Sequence, residues 1–295
     1  MGPQIAQYLV SGISIGSIYA LVALGFTIIY NATGIINFAQ GEFVMLGGLF
    51  AASFAGVFRL PLPLACALAI AAVTAVGVLF ERAAIHPLRR ASVITLTIAT
   101  IAGSILLKGI AMFVWGKGSY FLPSFSGDRP LRLLGAAILP QTLWIVGITG
   151  LVVAGLNLFF HRTLRGKAMR AVAANPIAAR LVGIRVKNMI LLAFALSAAI
   201  GAVGGVIITP IALVDYDRGS LLALKGFAAA ILGGIGSFPG AVAAGLLLGV
   251  LESLGTGLIS SHYKDAIALV VLLAMLFIRP AGILGSREAN KLKEF

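Results

Sequence analysis

The chain is a succession of apolar blocks with polar punctuation between them. No charged side chain occurs before Glu42, and the first block, residues 8–30, is long enough to cross a bilayer as a helix. A polar, glycine-containing patch follows: Asn31, Thr33, Gly34, Asn37, Gln40, Gly41 and Glu42. Residues 43–58 predict a second span, short unless Glu42 and Arg59 snorkel, and 60–80 a third, opened by Pro61 and Pro63. Residues 91–115 predict a fourth, 116–132 a turn-rich loop, 140–160 a fifth and 188–214 a sixth, with Asp215, Asp217 and Arg218 beyond it. Residues 225–251 form one apolar stretch interrupted by ILGGIGSFPG at 231–240. Four glycines and Pro239 do not continue a regular helix. We therefore expect two segments, one ending near Leu232 or Gly233 and the other starting near Gly240. A last short block covers 264–278.

Charge orients these blocks. Fourteen of the 22 Lys and Arg fall in three places, 82–90, 162–187 and 279–293, which the positive-inside rule puts in the cytoplasm. Two crossings then separate the first two basic segments. The third comes out inside only if the interrupted stretch crosses twice. A re-entrant turn at 31–40 would reverse the N-terminus, so its side stays open.

The segment 162–187 carries seven basic residues and no acidic one. Within it, Asn175 is a helix N-cap, Pro176 suits the first helical position, and Gly183 suits the left-handed residue that ends a helix. The expected helix, residues 176–182, sets Ile177 and Leu181 one turn apart on one face. An apolar ridge in a basic cytosolic loop fits docking onto a partner; the alternative is a stretch lying on anionic lipid. Ala173, Ala174, Ala178 and Ala179 offer little to lipid.

The chain has 295 residues, is 60% hydrophobic and 11% charged, and has a mean hydropathy of +1.07, against about 25% charged in soluble domains. The expected fold is an all-α membrane protein, one transmembrane domain over 1–295, with about eight or nine spans, broken or re-entrant helices and an internal repeat. The net charge of +13 is an orientation signal and not a nucleic-acid footprint. Cys66 stands alone, and the three histidines have no metal-ligand spacing. The start lacks a basic n-region, so the first block is expected to be retained. There is no GxxxxGK[ST] loop, HExxH or CxxC, and no cofactor is expected on this chain.

The two interruptions lie one in each half of the chain, a pattern that points to a transport pathway built from repeats. Unwound backbone at membrane depth is tolerated only inside protein or beside water, and half-helix N-termini there favour anions. On this reading Asn37, Gln40, Gly41, Glu42, Gly233, Gly234, Gly236 and Pro239 line the pathway. A plainer reading stands beside it: 31–42 as an interfacial loop, Asn37 capping the next helix and Glu42 exposed. Gly201/Gly205 and Gly245/Gly249 have GxxxG spacing and read as packing. An ion-driven carrier would explain broken helices too, but it expects ionisable groups in mid-span. Glu42, Lys108, Lys225 and Glu252 all read as near span ends. A scaffold or intramembrane enzyme has no visible catalytic constellation.

YALVALGFTIIYNATGIINFAQGEFVMLGG near the start, RGKAMRAVAANPIAARLVGI in the loop, AAAILGGIGSFPGAVAAGLLLGVLE near the end and the closing RPAGILG resemble, in order and over nearly the whole chain, the permease subunits of ABC importers for branched-chain amino acids. The same superfamily holds urea, short-amide, sugar and nucleoside permeases. The resemblance implies a bacterial inner-membrane protein, two cytosolic ABC ATPases that bind ATP, a second homologous permease, an extracytoplasmic substrate-binding protein and alternating access. It puts the coupling helix within 166–183, on Gly166, Arg170, Asn175, Pro176, Ile177, Ala178, Leu181 and Gly183. The chain departs from the EAA-type loop of other ABC permeases, since no Glu precedes its Ala-Ala pairs.

Overall fold

In a computed structural model the described residues are 2–89, 91–133, 136–258, 260, 264–279 and 281–284. Apolar blocks in hydrocarbon have no water to satisfy their backbone, so helices result. They are α1 (Gly2–Thr33), α2 (Gln40–Gly56), α3 (Leu62–Phe80) with a π-helical turn at Glu81–Ile85, α4 (Val93–Trp115), α5 (Pro140–Arg162), α6 (Leu164–Ala174), α7 (Pro176–Leu181), α8 (Val186–Ile208), α9 (Arg218–Gly233), α10 (Phe238–Leu258) and α11 (Lys264–Ile278). A small antiparallel hairpin, β1 (Leu131–Leu133) and β2 (Ala136–Ile138), precedes α5. The protein is a polytopic helical bundle. Among the described residues six helices are long and apolar enough to cross a membrane, and α2, α9 and α11 are shorter apolar helices.

Contacts gather into two compact units, 1–27 with 123–149 and 224–295, and 28–122 with 150–223. In the first, α1 and α10 run antiparallel along a seam of small residues. A Cβ on Gly12 would lie 2.7 Å from Val250 Cα, and one on Gly245 2.5 Å from the Ala20 nitrogen; one on Gly249 would overlap Gly16. Small residues let backbones approach where lipid gives no hydrophobic drive to associate. Gln7 exchanges hydrogen bonds with the Ala137 backbone, at 3.1 and 2.8 Å, and the Tyr8 hydroxyl donates to the Gly257 carbonyl. The β-hairpin precedes α5 and the basic segment follows it, so the positive-inside rule predicts a non-cytoplasmic start for α1.

The first unit also holds a charge cluster, with Lys225 and Glu252 buried and Asp265 exposed. Lys225 Nζ lies 2.8 Å from Glu252 Oε1 and 2.7 Å from Asp265, and the Tyr19 hydroxyl donates to Glu252 Oε2 at 2.8 Å. Glu252 is fully buried and Lys225 7% exposed. The expectation that both sit near span ends is wrong for Lys225. α9 begins at Arg218, not at 225, which makes Lys225 the eighth residue of a 16-residue helix. Pairing makes the burial tolerable.

In the second unit α2 is packed between α3 and α8 and is buried along almost its whole length. Gly47 and Gly205 make the approach possible: a Cβ on Gly47 would lie 2.5 Å from the Ala202 carbonyl oxygen, and one on Gly205 would overlap that of Val44. Phe43, Phe80 and Phe194 pack in one cluster.

Candidate functional site

α1 runs on through Thr33, and a non-helical segment, 34–39, leads to α2. Thr100 of α4 holds that segment, with its Oγ1 3.1 Å from the Ile36 carbonyl and accepting from the Phe38 N–H at 3.2 Å. The first turn of α2 then engages the middles of two spans. Gln40 Nε2 donates to the Ser197 carbonyl at 3.2 Å, and the Ser197 hydroxyl donates to Gln40 Oε1. Ser104 Oγ donates to Glu42 Oε1 at 3.0 Å. Ser197 is the twelfth residue of the 23-residue α8, and Ser104 the twelfth of the 23-residue α4. α2 therefore starts halfway along its neighbours and ends level with Trp115, whose Nε1 donates to Ser53 Oγ at 2.6 Å.

The N-terminus of α9 meets the same place. Asp215 Oδ1 accepts from the N–H groups of Asp217 and Arg218, at 2.9 and 3.0 Å, and turns the chain into the helix. Ser220 Oγ lies 3.4 Å from Glu42 Oε1. A Cβ on Gly219 would sit 2.5 Å from Glu42 Oε2, and one on Gly41 would overlap the Gly219 carbonyl. Two helix N-termini thus converge on one carboxylate, the arrangement that stabilises an anion there. Lys108 pairs with Asp217 and lies 6.0 Å from the Tyr216 ring, beside the same helix start.

Asn37, Gln40 and Glu42 are all fully buried. The exposed interfacial-loop reading of 31–42 does not hold, and Asn37 Oδ1 accepts from the Ala39 N–H, with Ala39 itself at the cap position. Glu42 Oε2 and Asn37 Nδ2 have no hydrogen-bond partner among the described residues. The shell therefore leaves one acceptor and one donor unsatisfied, and the described residues form no constellation for covalent chemistry. Ser104, Gly219 and Ser220 were missed from the sequence; the Asp215–Arg218 turn was the available signal and was read only as an outer loop.

The second interruption forms a tight hairpin between α9 and α10. Gly234 and Gly236 take φ of 94° and 97°, and a Cβ on Gly233 would overlap Gly240. α10 starts at Phe238, slightly earlier than expected, and Pro239 is exposed. Residues 281–284 close over it: Ile283 N–H donates to the Leu232 carbonyl at 2.8 Å and Leu284 N–H to that of Gly233 at 3.1 Å. These glycines lie in the first compact unit, and Asn37–Glu42 in the second.

The basic segment holds two helices, not one. α6 is capped by Thr163, which accepts from the Gly166 N–H at 3.0 Å, and buries Gly166, Met169 and Val172. Gly166 packs on the backbone of Phe159 and Phe160, while Arg170 is exposed. α7 is capped by Asn175, whose Oδ1 accepts from the Ile177 and Ala178 N–H groups, both at 2.9 Å. It ends at Leu181 with Val182 as cap, and Gly183 has φ 85°. Ala179 is buried under the helix, whereas Ile177 is 71% and Leu181 83% exposed.

A family model described as branched-chain amino acid transport system / permease component matches residues 8–278. The chain is 36% identical to the high-affinity branched-chain amino acid transport system permease protein BraD of Pseudomonas aeruginosa, over 98% of this chain and 100% of that protein. It is 35% identical to LivH of Escherichia coli, another high-affinity branched-chain amino acid transport system permease protein, over 97% of each. Among solved structures, PsaBC from Streptococcus pneumoniae in complex with Fab shares the fold, with a TM-score of 0.50 at 12% identity over 94% of this chain and 92% of that one. Likeness of this extent is likeness by descent, and the chain is a multi-pass membrane protein belonging to the permease family of branched-chain amino acid transport systems.

Proposed function

We propose that the chain is one permease subunit of an ATP-driven importer for branched-chain or related amino acids in the bacterial inner membrane. A second, homologous permease supplies the other half of the pathway, and an extracytoplasmic binding protein delivers the substrate. Two cytosolic ABC ATPases hydrolyse ATP, and this chain binds no cofactor of its own. Docking falls on Arg170 and the capped helix from Asn175 to Gly183, with Gly166 setting the angle at which the preceding helix leaves α5. The pathway falls on Asn37, Gln40, Gly41 and Glu42, where a free acceptor and donor suit the ammonium and carboxylate of an amino acid. Gly233, Gly234, Gly236 and Pro239 act as the hinge at the cytoplasmic end of α9 during alternating access.

The observation that carries this reading is α7. An apolar pair left exposed on a rigid, capped helix in a basic cytoplasmic segment supports a protein partner. The paired variant Ile177→Asp/Leu181→Asp should lose co-purifying ATPase and most substrate uptake while the permease keeps its abundance in membranes. Uptake that remains fully ATP-dependent in this variant overturns the docking assignment.

The buried Lys225–Glu252 pair favours a second reading, an ion-driven carrier, which expects paired charges within the helices. Proteoliposomes holding this chain alone distinguish the two. Gradient-driven uptake there supports the carrier, and uptake only with ATPase, ATP and binding protein supports the importer.

A further inference from the structure

The second unit contains a cavity of about 860 Å³ that shares Arg180 and Gly183 with the proposed docking helix and otherwise lies outside it. Its lining draws on the segment after α3, on the end of α7, on the α7–α8 connection and on the start of α8, and includes Arg89, Arg180, Arg185 and Lys187. No carboxylate lines it, and none of these four cations makes an ion pair among the described residues. Arg89 is steered by a 2.8 Å contact between its Nη1 and His86 Nε2. Arg185 stands at the N-cap of α8 without offering a side-chain cap, so the first N–H groups of a 23-residue helix also face this region. Unpaired like charges held around one space repel each other, and an anion relieves that repulsion.

We propose that this cavity is a receptor for the phosphodiester headgroup of an anionic phospholipid of the cytoplasmic leaflet. Basic pockets at the cytoplasmic ends of membrane helices have this affinity by their charge alone. The lining also includes Ile184, Val186 and Ile190, at the point where α8 enters its apolar run. A soluble anion has no use for such a wall, whereas the glycerol and first methylenes of a lipid do. The cavity adjoins α7, so a bound headgroup would buttress the docking helix from behind and link its position to membrane composition.

The experiment uses the full chain purified in mild detergent and exposed to equal phosphatidylglycerol and phosphatidylcholine. Native mass spectrometry reads the lipid retained. Wild type should keep phosphatidylglycerol selectively. The variant Arg89→Gln/Arg185→Gln/Lys187→Gln should lose that selectivity by about a hundredfold, at about fivefold per basic residue. The control Arg165→Gln/Lys167→Gln/Arg170→Gln removes equal charge from α6, outside the cavity, and should retain it; the single variant Arg185→Lys should also retain it. Equal loss in the α6 control overturns the proposal, because charge on that side would then suffice. Displacement of the lipid by millimolar inorganic phosphate overturns it in favour of a free-phosphate site. Displacement by the co-purified ATPase overturns it in favour of a protein-filled pocket.

Discussion

Glu42 shows what a single residue does at this depth. A carboxylate removed from water needs donors, and here two serine hydroxyls supply them to Oε1, at the starts of two helices whose dipoles favour a negative charge. Glu42→Ala would leave Ser104 and Ser220 facing a void, and we expect it to lower stability by about 1–3 kcal/mol. Glu42→Gln, which keeps the shape, should cost less. Thermal unfolding of the purified permease checks both, and an unchanged midpoint in the alanine variant would refute the role. Lys225 and Glu252 make a sterner case, because both are buried and the pair meets at 2.8 Å. Lys225→Met or Glu252→Leu alone should cost about 3–5 kcal/mol, and the double variant much less than their sum. Strict additivity in that double-mutant cycle would show that the pair is not coupled.

At the scale of elements, packing turns on where glycines allow backbones to touch. Gly249→Leu drives a side chain into Gly16 of α1, so α1 and α10 must separate. A loss of at least about 1–3 kcal/mol is expected, read as a lower unfolding midpoint. Gly109→Leu, where a Cβ meets nothing within 4 Å, should leave the midpoint unchanged. The GxxxG spacing of Gly245 and Gly249 announced this seam, whereas Gly41 against Gly219 had no such mark because the two come from distant segments. The cap of α7 was legible because it is local: Asn175, Pro176 and Gly183 act on neighbouring backbone. α6 escaped notice because its buried stripe, Gly166, Met169 and Val172, is short and set among basic residues.

For the whole molecule, the prediction concerns sidedness. The start of α1 lies beside the β-hairpin and the end of α10, and by the positive-inside rule it is expected outside. In a Cys66→Ser background, Ile5→Cys should react with a membrane-impermeant maleimide in intact cells. Leu181→Cys should react only after permeabilisation. Labelling of both positions from the same side would refute the assigned topology. With this orientation α9 descends, α10 ascends and α11 descends again, so α11 leads to Arg279 at the cytoplasmic side, as the basic charge of the sequence there demands.

The apolar blocks and the capped helix in the basic segment were determined by sequence, because hydrophobic length and cap chemistry act locally. The depth of Asn37–Glu42 was decided by tertiary structure alone. A polar patch between two apolar blocks reads the same whether it rests at the interface or folds back to mid-span. The difference lies in partners from α4, α8 and α9 that only folding brings near. The early start of α9 likewise depends on Asp215 turning the chain toward a carboxylate far away in sequence. Interactions within a few residues are legible along the chain, and those that bury a charge by joining distant segments are not.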